Sequence, residues 1–220
     1  EVNEYLSKIK QKEDRPIIGL NNGIDIIPIK RIREDYDADT RQREILFLGR
    51  TSDKANFNIL LEALKYPILN NITLNVIGND DQYSYLKGDK STILNGSKIN
   101  WYGKLIDEQE ISYIANRCRI FVYPGAVGLS LIHAMAYGLP CLVHSDRLQH
   151  MPEIAAFKTG ITGSTFYPGD PKDLAFNLST MISNPISLNI MSGNCLKKVE
   201  NEFNTTRMAK EFIKFLRELR

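Results

Sequence analysis

A chain of 220 residues that is 43% hydrophobic and 25% charged has enough apolar material for one sizeable core and no need to split into two. A net charge of +2 excludes the electrostatic footprint of a nucleic-acid binder. The absence of any run of about 18 apolar residues excludes a membrane-spanning helix within residues 1–220. Three well-separated cysteines, Cys118, Cys141 and Cys195, have no zinc-site spacing and read as buried free thiols of a reducing compartment. The chain opens "EVNEYL" without a signal peptide or an initiator methionine, which fits an excised fragment or a processed protein.

Residues 1–40 read as a polar, irregular lead-in apart from "PIIGLNNGIDIIP". It contains "KRIR" (30–33), expected to be a solvated basic face and otherwise a contact for an anionic surface. It also contains "DYDAD" (35–39), whose overlapping Asp-x-Asp units resemble carboxylate metal ligands but are expected to form a solvated loop. Residues 41–220 form the domain proper. Short, almost continuously apolar runs at 44–49, 73–78, 99–103, 119–124, 140–145 and 164–168 predict six strands. Between them, apolar spacing of three and four predicts helices near 55–65, 81–87, 108–117, 129–137 and 152–158. Asp107 is the expected N-cap of the third of these, and Gly138 with Pro140 ends the fourth. Beyond Asp170 three helices follow with no strand between them. The pattern predicts an α/β, Rossmann-like, doubly wound parallel sheet of about six strands with C-terminal helices.

Ligands of such sheets bind beyond the carboxyl ends of the strands, which directs attention to five loops. "PGAVGLS" (124–130) enters a helix, so its free N–H groups make an anion site that Gly125 and Gly128 leave open to close approach. "GRTSDK" adds the cations Arg50 and Lys54 at another strand end, and together these favour a diphosphate. "INWYGKL" supplies flat apolar residues, although Trp101 and Tyr102 in a strand also serve as core. His144 and His150 flank a turn without metal-ligand spacing, and no catalytic triad stands out.

Seven segments in order, "NNGID", "ILFLGR…DK", "LNVIG", "INWYGKL", "PGAVGLSLIHAMAYGLP", "MPEI" and "TGITGSTFYPGDPKDLA", make residues 17–180 resemble the C-terminal half of GT-B glycosyltransferases of the family-4 type. The resemblance implies a retaining transfer of a sugar from a nucleotide diphosphate sugar to a sugar or lipid-linked glycan acceptor in polysaccharide biosynthesis. It implies a donor diphosphate held by Arg50, Lys54, Gly128, Leu129 and Ser130, and a base pocket at Tyr102, Gly103 and Lys104. It implies no metal or other cofactor, and a cytoplasmic protein that contacts the inner face of the membrane at most peripherally. The acceptor side, with any catalytic residue that orients the acceptor, is expected in an N-terminal domain outside this chain. The chain departs from the family at two positions that usually hold glutamates, facing the donor sugar and the ribose, where it has Gly125 and His133. Histidine retains hydrogen-bonding capacity for a hydroxyl, and it also serves as a satisfied structural residue on the inner face of a helix. Two other functions stay open: a nucleotide-sugar epimerase or hydrolase of the same fold, for which Asp146 and Glu153 are the placed carboxylates, and a non-catalytic nucleotide-sugar-binding module.

Overall fold

The computed structural model describes residues 18–79 and 91–219. Its centre is a seven-stranded sheet of β1 (Glu44–Leu48), β2 (Thr73–Ile77), β3 (Ser91–Leu94), β4 (Ser97–Gly103), β5 (Ile120–Tyr123), β6 (Cys141–His144) and β7 (Gly163–Phe166). The strands lie in the order β3-β4-β2-β1-β5-β6-β7, and every neighbouring pair is parallel except β3 with β4. Without β3 this is the doubly wound order in which the direction of winding reverses between β1 and β5. The six expected strands are all present. The seventh, β3, is an addition to the expectation, and its cue is "ILNGSK". Asn95 and Gly96 take φ of 46° and 80°, the pair of left-handed residues that closes a two-residue hairpin between antiparallel strands. Strand β3 hides only one face, leaving Ile93 76% exposed. It therefore lacks the continuous apolar run that marks the buried parallel strands.

Helices α1 (Ile27–Ile32), α2 (Phe57–Ala63), α3 (Glu108–Ala115), α4 (Leu129–Ala136), α5 (Pro171–Ile182), α6 (Pro185–Glu202) and α7 (Thr205–Glu218) surround the sheet. The expected helix at 152–158 is a 3-10 stretch, Pro152–Ala156, too short to develop an α-helical face. The helix expected at 81–87 lies outside the described residues. Asp107 caps α3 by accepting from the Gln109 N–H, as its position implies. The three terminal helices are punctuated in the same way. Asp170, Asn184 and Asn204 each accept from a first-turn N–H, and Pro171 and Pro185 open the first two.

The described part of the lead-in, residues 18–40, is more ordered than its composition suggests. Helix α1 buries Ile29, and Asn116 at the end of α3 closes it by donating to the Ile32 carbonyl and accepting from the Glu34 N–H. The "KRIR" run is anchored through Arg33 and at the end of Lys30, while Lys30 and Arg31 stay exposed as expected of a solvated face. Arg33 donates to the Ala136 carbonyl and to Glu200 at 2.6 Å, and Lys30 lies 3.3 Å from the same carboxylate. In "DYDAD", Tyr36 donates to the Arg119 carbonyl and Ala38 is fully buried. All three cysteines are free and buried, and burial pushes the Cys118 thiol up to about 12. Among the described residues no helix is long and apolar enough to cross a membrane.

The core runs along both faces of the sheet. Phe47 of β1 stacks on Tyr123 of β5 at 4.9 Å and meets Phe57 of α2 edge-on at 4.8 Å. It therefore ties the two central strands to the first helix after the sheet begins. Truncation as Phe47→Ala is expected to cost about 3–5 kcal/mol. Urea denaturation checks this, with a lowered midpoint and an unchanged slope as the expected result.

Candidate functional site

The reversal of winding opens a crevice of about 430 Å³ at the carboxyl ends of β1, β2 and β4, against the first turns of α4. Its floor is backbone. Gly49 donates to the Ile77 carbonyl, Gly78 donates to the Gly103 carbonyl, and a Cβ on Gly78 would lie 1.9 Å from the Gly49 oxygen. A side chain at position 78 would therefore break the contact between these two strand ends. Ile24 forms part of the wall because "NNGID" is locked to the α6–α7 junction. Ile24 bridges to Asn204, and its carbonyl accepts from the Thr205 N–H.

Five of the sequence-predicted residues line this crevice: Arg50, Lys104, Leu129, Ser130 and His133. Gly128 is the residue before α4 and offers no side chain to cap it, unlike the residues that precede α3, α5, α6 and α7. The Leu131 N–H turns back to the Gly128 carbonyl at 2.9 Å, while the N–H groups of Leu129 and Ser130 precede any intrahelical acceptor. An uncapped helix end beside two cations, Arg50 and Lys104, is arranged to hold an anion.

Four predicted residues lie elsewhere or act through backbone. Lys54 is exposed on the 3-10 turn Asp53–Ala55, outside the crevice lining, and its carbonyl accepts from the Ala126 N–H at 3.0 Å. Gly125 is buried against that same turn, where a Cβ would lie 2.1 Å from the Lys54 oxygen and 2.5 Å from the Ala55 carbonyl carbon. It faces backbone, not the crevice, so no side chain fits there in this arrangement. Gly103 is outside the crevice lining, and its carbonyl accepts from the Gly78 N–H that underlies it. Tyr102 is turned into a polar cluster on the sheet, where its hydroxyl donates to Asn75 Oδ1 at 3.2 Å and accepts from Arg117 at 3.4 Å. It lines a second cavity of about 410 Å³ with Gln109 and Tyr113, which adjoins the first across Leu105. Trp101 is core, packed 5.6 Å from Phe57.

His133 does not stand alone. Its Nε2 lies 2.8 Å from Oε1 of Glu108, the first residue of α3, and the Tyr137 hydroxyl donates to the same oxygen at 2.5 Å. Burial raises the Glu108 carboxyl, but the hydrogen bond and charge of His133 and the Tyr137 bond outweigh it and hold the group below its usual range. Nothing in the sequence marked Glu108, because its partners approach from another helix.

A second histidine holds the glycine loop in place. His150 accepts from the Val127 N–H through Nδ1 at 3.2 Å, so its proton is on Nε2, which donates to the His144 carbonyl at 3.0 Å. The two imidazoles stack at 3.8 Å, and the Met151 N–H closes the contact on the Val127 carbonyl. Burial, followed by the neighbouring His150, pushes His144 down to about 4, and burial likewise lowers His150. The bonding of His150 requires a neutral ring, in keeping with the direction of its shift. Asp146 caps its own turn by accepting from Leu148 and Gln149, and Glu153 is buried and accepts from Asn22 at 2.7 Å. Among the described residues no three His, Cys, Asp or Glu side chains group so as to hold a metal ion.

Comparison with known proteins agrees with this fold. The profile of the family described as "Glycosyl transferases group 1" matches residues 28–198. The UDP-Gal:alpha-D-GlcNAc-diphosphoundecaprenol alpha-1,3-galactosyltransferase of Escherichia coli is 26% identical over 171 residues, covering 73% of this chain and 41% of that protein. Among solved structures, the Anabaena protein HepE in complex with UDP and glucose superposes with a TM-score of 0.69 at 16% identity, over 90% of this chain and 56% of that one. The C-terminal domain of a glycosyl transferase group 1 family protein (LpcC) from Francisella tularensis superposes with a TM-score of 0.61 at 19% identity, over 83% of this chain and 100% of that one. The chain thus spans less than half the length of the curated relative it matches.

Two outcomes follow from the packing around the glycine loop. Gly125→Ala forces the loop off the Lys54–Ala55 backbone and is expected to cost about 1–3 kcal/mol in chemical denaturation. The unfolded chain protonates His144 near 6.5, whereas the folded chain holds it neutral to about 4. The unfolded state therefore takes up the extra proton between those values. The stabilisation is complete above 6.5 and is lost as pH falls toward 4. Urea midpoints measured from about pH 7.5 down to about pH 4.5 are expected to fall, less steeply in His144→Phe.

Proposed function

The chain belongs to the group 1 glycosyl transferases, and on that footing we propose that it is the donor-binding half of a retaining hexosyltransferase that uses a UDP-sugar. The observation that carries this is the uncapped N-terminus of α4 facing Arg50 and Lys104 across the crevice. A pyrophosphate between them meets N–H groups on one side and cations on the other. Uridine as the base is supported by the UDP in the HepE complex and the UDP-Gal of the E. coli relative. The full alignment of the Francisella C-terminal domain supports a C-terminal placement.

In this reading the bond from the sugar's anomeric carbon to the diphosphate oxygen breaks, a bond to an acceptor hydroxyl oxygen forms, and the hydroxyl's proton passes to the departing diphosphate. The negative charge that gathers on the departing UDP is met by Arg50, Lys104 and the first-turn N–H groups of α4, which take the part a divalent cation otherwise plays. The acceptor is a sugar or lipid-linked glycan, bound mainly by the part of the protein outside this chain. The isolated chain therefore binds donor and turns over little. In this reading the protein acts in the cytoplasm and contacts the inner membrane face at most peripherally. The epimerase alternative is disfavoured because Asp146 and Glu153 are already engaged by Leu148, Gln149 and Asn22.

Titration calorimetry of this chain with UDP, GDP and ADP tests the proposal. UDP is expected to bind best, and Arg50→Ala to weaken it roughly ten- to a hundredfold, in keeping with the loss of a charge-assisted hydrogen bond. Lys54→Ala, outside the crevice, is expected to change it less than about threefold, a lost surface charge contact. Failure of a folded chain to bind any of the three nucleotides would overturn the donor-site assignment.

A further inference from the structure

The loop that enters α4 is clamped by two consecutive residues of the turn after β6. The Val127 N–H donates to His150 Nδ1 at 3.2 Å, and the Val127 carbonyl accepts from the Met151 N–H at 3.0 Å. A trans peptide points its carbonyl and its N–H in opposite directions, so the second bond also fixes where the Gly128 N–H points. Further back, the Ala126 N–H donates to the Lys54 carbonyl at 3.0 Å. Of these three restraints, only the one at His150 comes from a side chain, so it alone changes with protonation.

The chemistry of the ring makes that restraint conditional. Nδ1 accepts only while its lone pair is free, because Nε2 already donates to the His144 carbonyl at 3.0 Å. A proton on Nδ1 sets an N–H against the Val127 N–H, and the bond is lost. Few charged or titratable groups face the ring. Its own turn brings Arg147, which opposes protonation, and Asp146, which favours it. Strand β6 brings His144, and residues 124–128 bring none. Burial, the largest influence, holds His150 below its usual range, so the accepting form prevails near neutral pH.

We propose that His150 is a positioning residue for the anion site: the lone pair of its Nδ1, by holding Val127, keeps the first donors of α4 aimed at a bound diphosphate, so that nucleotide binding requires the neutral ring. This rests on the donor-site assignment above. The ring is absent from the crevice lining and does not touch the nucleotide. Two ways of acting on the anion carry opposite signs. As a nearby cation, a protonated ring would draw the diphosphate in, and bound nucleotide would raise the pKa of His150. As a lone pair behind the loop, the ring must be neutral, so bound nucleotide lowers that pKa by reciprocity.

The test reads the His150 pKa by NMR of this chain, free and saturated with UDP. Bound UDP is expected to lower it by about one unit, equivalent to a tenfold preference for the neutral form and to one hydrogen bond. The free chain is expected to show a protonated Nε2, a bare Nδ1, and a scalar coupling from Nδ1 to the Val127 amide nitrogen. Calorimetry near neutral pH supplies the second readout. His150→Leu, which has no acceptor, is expected to bind UDP about tenfold more weakly. His150→Asn, whose Oδ1 takes the place of Nδ1 and does not titrate, is expected to recover affinity to within about threefold. A ring that only stabilised the fold would show no such rescue and no pKa change with UDP. A His150 pKa that rises or stays unchanged on binding overturns the proposal. So does a folded His150→Leu that binds UDP as tightly as the wild-type chain. In both cases binding that Arg50→Ala weakens leaves the donor site standing. Absence of UDP binding by the folded wild-type chain overturns the donor-site assignment and this proposal together.

Discussion

The direction in which the chain winds around the sheet reverses between β1 and β5, and the rest of the molecule is arranged around the consequence. Crossovers that lead away from this point on opposite faces leave the carboxyl ends of the central strands uncovered. At the edge of the gap the strand ends pack on each other through bare backbone. Gly49, Gly78 and Gly103 end three neighbouring strands, and the first two approach so closely that a single Cβ on Gly78 would collide with a carbonyl. Gly125 repeats the principle on the far side, where the loop into α4 lies directly on the backbone of residues 54–55. Close backbone packing, not a particular catalytic side chain, shapes the crevice.

Electrostatics follow from that shape. Four helices have a first-turn N–H satisfied by an Asp or Asn side chain, whereas α4, the helix that faces the gap, has no such cap, like the short helices α1 and α2. Its unsatisfied donors meet Arg50 and Lys104 across the crevice. The same loop is held from behind by His150, a ring that must be neutral to accept from Val127 and donate to His144. Rigidity at the base of the loop and open donors at its tip are thus supplied by different residues, which allows the loop to be fixed without blocking the site.

Departures from the family pattern have a physical logic here. Glycine at position 125 leaves no room for a side chain because the loop lies against the turn after β1. Histidine at 133 is backed by a carboxylate from α3 and restrained by a tyrosine one turn further along its own helix. Charge that would otherwise sit on one residue is distributed over a cluster drawn from two helices. The lead-in shows a comparable economy. Lys30 and Arg33, which look like a free basic patch in the sequence, converge on Glu200 of α6 and tie residues ahead of β1 to the C-terminal layer.

Much of the fold was legible in the sequence because it depends on local periodicity. Parallel strands buried on both faces must be apolar throughout, so "EILFL" and "IFVY" announce themselves, and Asp107, Gly138 and Pro140 mark helix ends by local chemistry. The strand at Ser91–Leu94 escaped because an edge strand buries one face only, although Asn95–Gly96 carried its turn signal. Residues lining the crevice were legible where they follow a strand closely, as Arg50 and Lys104 do. Tyr102 was not, since which face of a sheet a side chain takes depends on register and on neighbours such as Asn75. Glu108 beside His133, His150 beneath Val127 and the contact of Gly125 with Lys54 join residues far apart in the chain. Periodicity reports what a segment buries, but only the packing of helix on helix and loop on loop decides which distant groups a buried polar atom meets.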